Sequence, residues 1–229
     1  MHVPDGFLDA PISVATGAVA AAAVGLALRG ARRELDDRTA PLAGLVAAFV
    51  FAAQMVNFPV GAGTSGHLMG GALAAVLVGP WTAVLCLAVV LLVQALLMAD
   101  GGITALGTNI SLIGIVTVVI GYGVFVLLRR LLPDRLESLP VAAALGAFVS
   151  VPAAAAVFTG LFAIGGQAPV DTGAVLVTML GWHTLIGIGE ALVTGLVVSA
   201  VVATRPDLVH GARSLVAARH QQLRETVTA

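Results

Sequence analysis

Apolar residues along most of this 229-residue chain follow one another in long runs. A helix needs roughly 20 such residues to cross the hydrocarbon core of a bilayer, whereas a membrane β-barrel would show strict alternation of hydrophobic and polar positions. The runs therefore predict an all-α integral membrane protein. We divide them into seven helical spans, at residues 12–28, 41–58, 68–78, 81–98, 110–128, 141–164 and 174–204.

The third span is short for a full crossing, and only Gly79 and Pro80 separate it from the fourth. We interpret residues 68–98 as a tight hairpin, with one long kinked helix as the alternative. Arginine placement favours the hairpin, because cytoplasmic loops carry an excess of basic residues. The chain has no lysine, and seven spans put all 11 arginines on one side. They are Arg29, Arg32, Arg33, Arg38, Arg129, Arg130, Arg135, Arg205, Arg213, Arg219 and Arg224.

This arrangement predicts an amino terminus outside the cell and a carboxyl terminus in the cytoplasm. Residues 1–204 form the predicted transmembrane domain, and residues 205–229 form a basic cytoplasmic tail that we expect to touch lipid headgroups or a partner. Hydrophobic residues make up 59% of the chain and charged residues 10%, which is typical of a multi-pass protein of the cell membrane. We expect the lipid bilayer as its surroundings and no nucleic-acid partner.

The amino-terminal segment carries the first candidate chemistry. Residues 1–11 contain no Arg or Lys, so we expect no targeting peptide and expect Met1 to stay in place before the large His2. A free Met1 α-amine, the His2 amide and the His2 imidazole can form adjacent chelate rings on one ion. His67, predicted on the same outer side, could supply a fourth nitrogen. Four planar nitrogens suit Ni²⁺ or Cu²⁺ and are tolerated by Co²⁺, whereas Zn²⁺ prefers a tetrahedron.

Two simpler explanations stay open at this stage. The first residues could be a frayed terminus that happens to contain a histidine, although Pro4, Asp5 and Gly6 are typical of a tight turn that would fold them back. His67 could be a structural histidine at a helix start. The three glycines of residues 61–66 would let the backbone approach a ligand closely.

Polar side chains inside or near the spans are costly unless they are paired or face a cavity. We predict a second shell that hydrogen-bonds the ligating groups and fixes the imidazole orientations; simple hydrogen bonding between helices is the alternative. The residues concerned are Gln54, Asn57, Ser65, Gln94, Asn109 and His183.

His183 and Glu190 are seven residues apart and share a helix face, which makes an intramembrane enzyme conceivable. No catalytic motif accompanies them, so we predict a protein that binds and does not catalyse. A Walker-type phosphate loop requires a lysine, and the chain has none. If ATP drives transport, separate subunits must hydrolyse it.

Several motifs in order resemble the CbiM/NikM family, the cobalt- and nickel-binding (S) components of energy-coupling-factor transporters. The resemblance covers the chain from Met1 to about residue 204. It rests on MHVPDGF at residues 1–7, NFPV at 57–60, GTSGHLMGGAL at 63–73, GPW at 79–81, DGGITALG at 100–107 and HTLIGIGEA at 183–191.

The resemblance implies an S-component fold with one additional amino-terminal helix and a metal site at Met1, His2 and His67. It implies Ni²⁺ or Co²⁺ as the transported substrate, for cobalamin synthesis or for nickel enzymes, with no organic cofactor. It further implies a transmembrane coupling subunit, two cytoplasmic ATPase subunits and a small auxiliary membrane subunit. An S component for an organic vitamin is the alternative, and the aromatic content of only 5% argues against it.

Overall fold

The computed structural model describes residues 1–37, 39–61 and 64–228, and it is a bundle of α-helices. Two residues of the sequence patterns above, Arg38 and Gly63, lie outside this part of the chain. The helices are α1 (Ala10–Gly30), α2 (Ala40–Gln54), α3 (Gly71–Val78), α4 (Pro80–Leu97), α5 (Leu106–Asn109), α6 (Thr117–Leu131), α7 (Ser138–Gly165), α8 (Thr172–Thr204) and α9 (Arg213–Thr228).

The predicted all-α membrane fold is confirmed. A π-helical segment, Ile110–Val116, joins α5 to α6, so Leu106–Leu131 is one long apolar helix. Within the described residues, this helix and α1, α4, α7 and α8 are the five long and apolar enough to cross a bilayer. α2 has 15 residues and α3 only 8, so the exact count of seven crossings stays a prediction.

The predicted hairpin between the third and fourth spans is present. Gly79 has a φ of +98°, a backbone conformation that favours glycine, and Pro80 opens α4. The Glu34 carboxylate, on the loop after α1, accepts hydrogen bonds from the N–H groups of Trp81 (3.2 Å) and Thr82 (2.7 Å). These are free donors of the first turn of α4, so Glu34 caps this helix and fixes the position of the turn.

The bundle has two chemically different ends. At one end, which we call the site end, residues 1–9 meet the end of α4 and the loop that follows it, the end of α5 and the end of α7. The loop containing Glu34, the α3–α4 turn and the start of α9 meet at the other, the arginine end. The ends of α1 and α6 carry Arg29 and Arg129 there. Which end faces the cytoplasm stays a prediction.

A two-stranded antiparallel hairpin follows α2 at the site end. Strand β1 (Phe58–Gly61) pairs with β2 (Thr64–Gly66). The chain then passes His67 and enters the bundle as extended backbone before α3 begins at Gly71, three residues later than the predicted start of this span. Non-helical backbone at this depth is tolerated in a membrane protein only where other protein groups satisfy its hydrogen bonds.

Two buried side chains satisfy this segment. Both oxygens of the Glu190 carboxylate accept hydrogen bonds, from the N–H groups of Met69 (2.6 Å) and Gly70 (2.8 Å). The Gln54 amide donates to the Met69 carbonyl at 2.8 Å. Gly70 has a φ of +79°, which lets the chain turn from this clamp into α3. α8 and α2 therefore hold the backbone that follows His67 from opposite sides.

We predict that Glu190→Gln lowers thermal stability, because a glutamine oxygen accepts only one of the two N–H groups. Leaving a buried N–H unpaired costs about 1–3 kcal/mol. The measurement is the Tm of the detergent-solubilised protein, followed by circular dichroism. Thr194→Val, one helical turn further along α8, is the matched control: this hydroxyl is buried and finds no partner among the described residues, so its loss should leave the Tm unchanged or raise it. Equal effects of the two substitutions would refute the clamp.

Candidate metal centre

The amino-terminal segment is folded into the bundle, which confirms the predicted turn and excludes a frayed terminus. The Phe7 N–H donates to the Pro4 carbonyl, closing a turn that includes Gly6 at φ +73°. Val3 pairs through both backbone groups with the Asn109 side chain, at 2.8 and 3.1 Å. The Asp5 carboxylate accepts the N–H of Thr104 at 2.8 Å. Met1 is fully buried as a result.

This fold brings together the three predicted ligand residues. The Met1 α-amine contacts Nε2 of His67 directly. The other ring nitrogen of His67, Nδ1, lies 2.8 Å from the Leu68 carbonyl, to which it can only donate. Nδ1 is therefore protonated, and Nε2 presents its lone pair to the amine. The His2 ring stacks on the His67 ring with a centroid separation of 4.3 Å.

His2 is held by three polar neighbours. Nε2 of its ring lies 3.1 Å from the Gln94 side-chain oxygen, and Nδ1 lies 3.1 Å from a carboxylate oxygen of Asp100. Its backbone N–H donates to the Ser65 hydroxyl at 3.4 Å. Both ring nitrogens of His2 therefore face oxygen acceptors, and Nδ1 has to exchange its contact with Asp100 for the ion before it can chelate.

Of the four other residues predicted to support the ligands, three bond a neighbour of a ligand residue, and His183 does not. Asn57 donates to Asp100 at 3.1 Å and so supports a carboxylate beside His2. Asn109 bonds Val3, which directly follows His2. Gln54 bonds Met69, which lies two residues after His67. His183 instead bonds the carbonyl of Met179 in its own helix at 2.8 Å. Its ring has no hydrogen bond to Met1, His2 or His67 within the described structure.

Burial sets the electrostatics of the site. It lowers the pKa of the Met1 α-amine to about 4, an effect that the nearby Asp100 and Glu190 carboxylates partly oppose. Burial, followed by repulsion from the Met1 amine and from His2, lowers the pKa of His67 as well. The contact with His2 holds the pKa of Asp100 below its usual range. At neutral pH the amine and His67 are therefore uncharged, with lone pairs available.

Two residues at the site were not identified from the sequence. Asp100 was not among the predicted site residues, yet it contacts His2. Its position offered some indication, since Asp100 lies in the loop directly after α4, the helix that carries Gln94. Glu190 was considered as a catalytic group, and its carboxylate is instead engaged with backbone N–H groups. Nothing near Glu190 in the sequence points to Met69.

The donor atoms define what the site can bind. No three side chains of His, Cys, Asp or Glu among the described residues form a cluster able to hold a metal ion. A tight site here therefore needs main-chain nitrogens. The Met1 amine, the His2 amide, His2 Nδ1 and His67 Nε2 are four nitrogen donors of the kind that a planar Ni²⁺ or Co²⁺ complex uses.

The vitamin-binding alternative finds little support in the cavities. An apolar groove of about 410 Å³ runs beside His67 between α2 and α8, lined mainly by aliphatic side chains together with Phe58 and Trp182. An organic ligand needs a few convergent polar groups to fix its orientation. His67 is the only polar side chain among the described residues that line this groove apart from the Trp182 indole.

The comparisons with known proteins identify relatives named for metal transport. The CbiM family, described as a cobalt uptake substrate-specific transmembrane region, matches residues 2–208. A putative metal transport protein from Haloquadratum walsbyi is 41% identical over 91% of this chain and 93% of its own length. The cobalt transport protein CbiM from Sorangium cellulosum is 36% identical over 91% and 94%. A putative fused nickel transport protein, NikMN, from Archaeoglobus fulgidus is 40% identical over 91% of this chain and 68% of its own.

Solved structures give the same result. The crystal structure of a truncated transition metal transporter superimposes with a TM-score of 0.83 at 30% identity, covering 89% of this chain and 99% of that one. A second transition metal transporter superimposes with a TM-score of 0.81 at 31% identity. These relatives are named as metal, cobalt or nickel transport proteins. The chain belongs to the CbiM family of multi-pass membrane proteins for cobalt and nickel transport.

Proposed function

We propose that this chain is the S component of an energy-coupling-factor transporter, and that it captures Ni²⁺ or Co²⁺ from outside the cell for uptake. The observation that carries the proposal is the buried Met1 amine in contact with His67 Nε2. A terminal amine has no structural reason to be desolvated, because burial of an amine without an ion partner is costly. Its position beside two imidazoles is explained if it ligates an ion.

The proposed ligands are the Met1 amine, the His2 amide nitrogen, His2 Nδ1 and His67 Nε2. The first three belong to adjacent groups of one chain and close fused chelate rings, so His67 is the one donor that the fold must deliver. Gln94 and Ser65 contact His2 and are proposed to orient it, while Asn57, Asn109 and Gln54 act through Asp100, Val3 and Met69. His183 is proposed only to line the bundle near His67, without a contact to the ion.

We propose that transport requires partners: a transmembrane coupling subunit, two cytoplasmic ATPase subunits and a small auxiliary membrane subunit. The absence of lysine from the chain supports separate ATP hydrolysis, because a phosphate-binding loop needs that residue. The fused nickel transport proteins in the family support the auxiliary subunit, since this chain spans only 68% of the Archaeoglobus fulgidus protein. Residues 1–204 would then be the membrane domain, and residues 205–229 a tail on the cytoplasmic side.

Two glycines added before Met1 should abolish metal binding, because they convert the α-amine to an amide and displace Met1 from a fully buried position. A single glycine would not serve, since it would make His2 the third residue from a new free amine and so create another planar four-nitrogen chelate. Loss of an outer-shell partner alone costs roughly 10–100-fold in affinity, so loss of a ligand should cost at least about 100-fold. The measurement is calorimetry with Ni²⁺ and Co²⁺ on the purified chain, with elemental analysis of the bound ion. Intact-mass measurement first verifies that Met1 is the terminal residue.

The matched control for that variant is two glycines added after Ala229, which leave the amino terminus untouched, so this chain should bind as the unmodified one does. Equal affinity in the two extended chains would refute the amine as a ligand. Comparing the two ions in the same titration also decides between nickel and cobalt, which the donor set alone does not separate.

Two substitutions should reduce affinity to different degrees, and a third should leave it unchanged. His67→Ala removes a ligand and should cost at least about 100-fold, whereas Gln94→Leu removes only the acceptor that orients His2 and should cost roughly 10–100-fold. His220→Ala, on the exposed face of α9, should have no effect. The same calorimetric titration measures all three. The proposed ligand set would be contradicted if the Gln94 variant bound metal more weakly than the His67 variant, or if His220→Ala lowered the affinity.

A further inference from the structure

A cleft of about 660 Å³ lies at the arginine end of the bundle, far from the proposed metal site. It is bounded on one side by the last two turns of α6 and on the other by residues 210–214, where the chain enters α9. Its wall on α6 includes Tyr122, Phe125 and Val126, so the inner part is aromatic and apolar. Arg129, Arg130 and Arg213 stand together at its rim.

The positive charge of this rim is only weakly compensated. Arg129 donates to the Gly211 carbonyl at 3.0 Å, and its only carboxylate within the described structure is Asp134 at 3.6 Å, whose side chain is 82% exposed. An exposed pair of this length contributes little. Arg213 donates to the neutral backbone carbonyl of Glu34 at 2.6 Å.

Arg130 is exposed and makes no ion pair among the residues that the structure describes. The three guanidinium groups have two carboxylates nearby. Asp134, in the cleft lining, is exposed, and the Glu34 carboxylate, whose charge also acts on Tyr122 and His210, already accepts the N–H groups at the start of α4. A second cavity of about 770 Å³ adjoins the first along α9 and adds Arg135 and Arg219 to the same positive surface, together with Glu137.

The position of the cleft indicates the kind of ligand. α6 is the last part of an apolar helix long enough to span the membrane and ends at Leu131, so Arg129 and Arg130 lie where the hydrocarbon core gives way to headgroups. Basic pockets between transmembrane helices at this level suit acidic lipid headgroups. The order of the lining, apolar toward the bundle and cationic at the rim, matches an amphiphile with a negative headgroup.

We propose that this cleft binds the headgroup of an anionic phospholipid, with the phosphate held by Arg129, Arg130 and Arg213 and the upper acyl chain against Tyr122, Phe125 and Val126. The Ser214 hydroxyl, also in the lining, is a neutral donor within the same cleft. Such a lipid would bridge α6 and the start of α9, two elements that are connected here through the Arg129–Gly211 hydrogen bond. This site is independent of the proposed metal centre.

The test is native mass spectrometry of the full chain released from detergent micelles that contain equal amounts of phosphatidylglycerol and phosphatidylcholine. The unmodified protein should retain phosphatidylglycerol in preference by tenfold or more. A triple variant, Arg129→Gln with Arg130→Gln and Arg213→Gln, should lose most of that preference, because each basic residue near a membrane surface contributes roughly fivefold. Excess inorganic phosphate should not displace the lipid, since it lacks the acyl chain.

The matched control is Arg29→Gln with Arg32→Gln and Arg33→Gln, which removes the same charge from exposed positions at the same end but outside the cleft. It should keep the preference of the unmodified protein. Arg130→Glu alone, at an exposed position, avoids any disturbance of the Arg213–Glu34 contact and should lower the preference about fivefold or more. Equal loss in both triple variants, no preference in the unmodified chain, or displacement by phosphate would overturn the proposal.

Discussion

The Glu190 carboxylate, buried in the middle of α8, is the group on which the arrangement of the site depends. It accepts the N–H groups of Met69 and Gly70, and it thereby allows extended backbone to run into the bundle ahead of a helix of only eight residues. Without such an acceptor the segment would gain more by becoming helical, as buried backbone groups in a membrane protein must be satisfied internally. A helix continued back to residue 67 would turn His67 away from its present neighbours.

The amino terminus is also held by a buried polar side chain that bonds backbone groups. Both backbone groups of Val3 are hydrogen-bonded, as they would be beside another strand, but the partner is the amide side chain of Asn109. The π-helical segment begins directly after Asn109, and such irregular turns are often found at functional sites. Both halves of the site, the terminal residues and the His67 backbone, are thus held by buried amides and carboxylates that α2, α5 and α8 provide.

Parts of this arrangement follow from the sequence, and the reasons are local. Apolar runs predicted the helices, Gly79 and Pro80 predicted the hairpin, and the distribution of arginines put His2 and His67 at the same end. What could not be predicted depends on contacts distant in sequence. α3 begins late because of a carboxylate 120 residues away, as the spacing from Gly70 to Glu190 shows. His183 satisfies its ring nitrogen on its own helix, an outcome that composition and periodicity do not distinguish from a ligand-supporting role.

Within the proposed function, charge balance explains why Asp100 lies beside His2. A divalent ion placed among buried residues carries a large desolvation cost unless opposite charge accompanies it. An amine and two imidazoles supply lone pairs but no negative charge. If the His2 amide loses its proton on binding, as the proposed chelate requires, it supplies one negative charge, and the Asp100 carboxylate beside His2 Nδ1 supplies the second. These two charges would offset those of a divalent ion. Within the proposed function, the site thus combines charge compensation for a divalent ion with the four nitrogen donors that suit planar coordination.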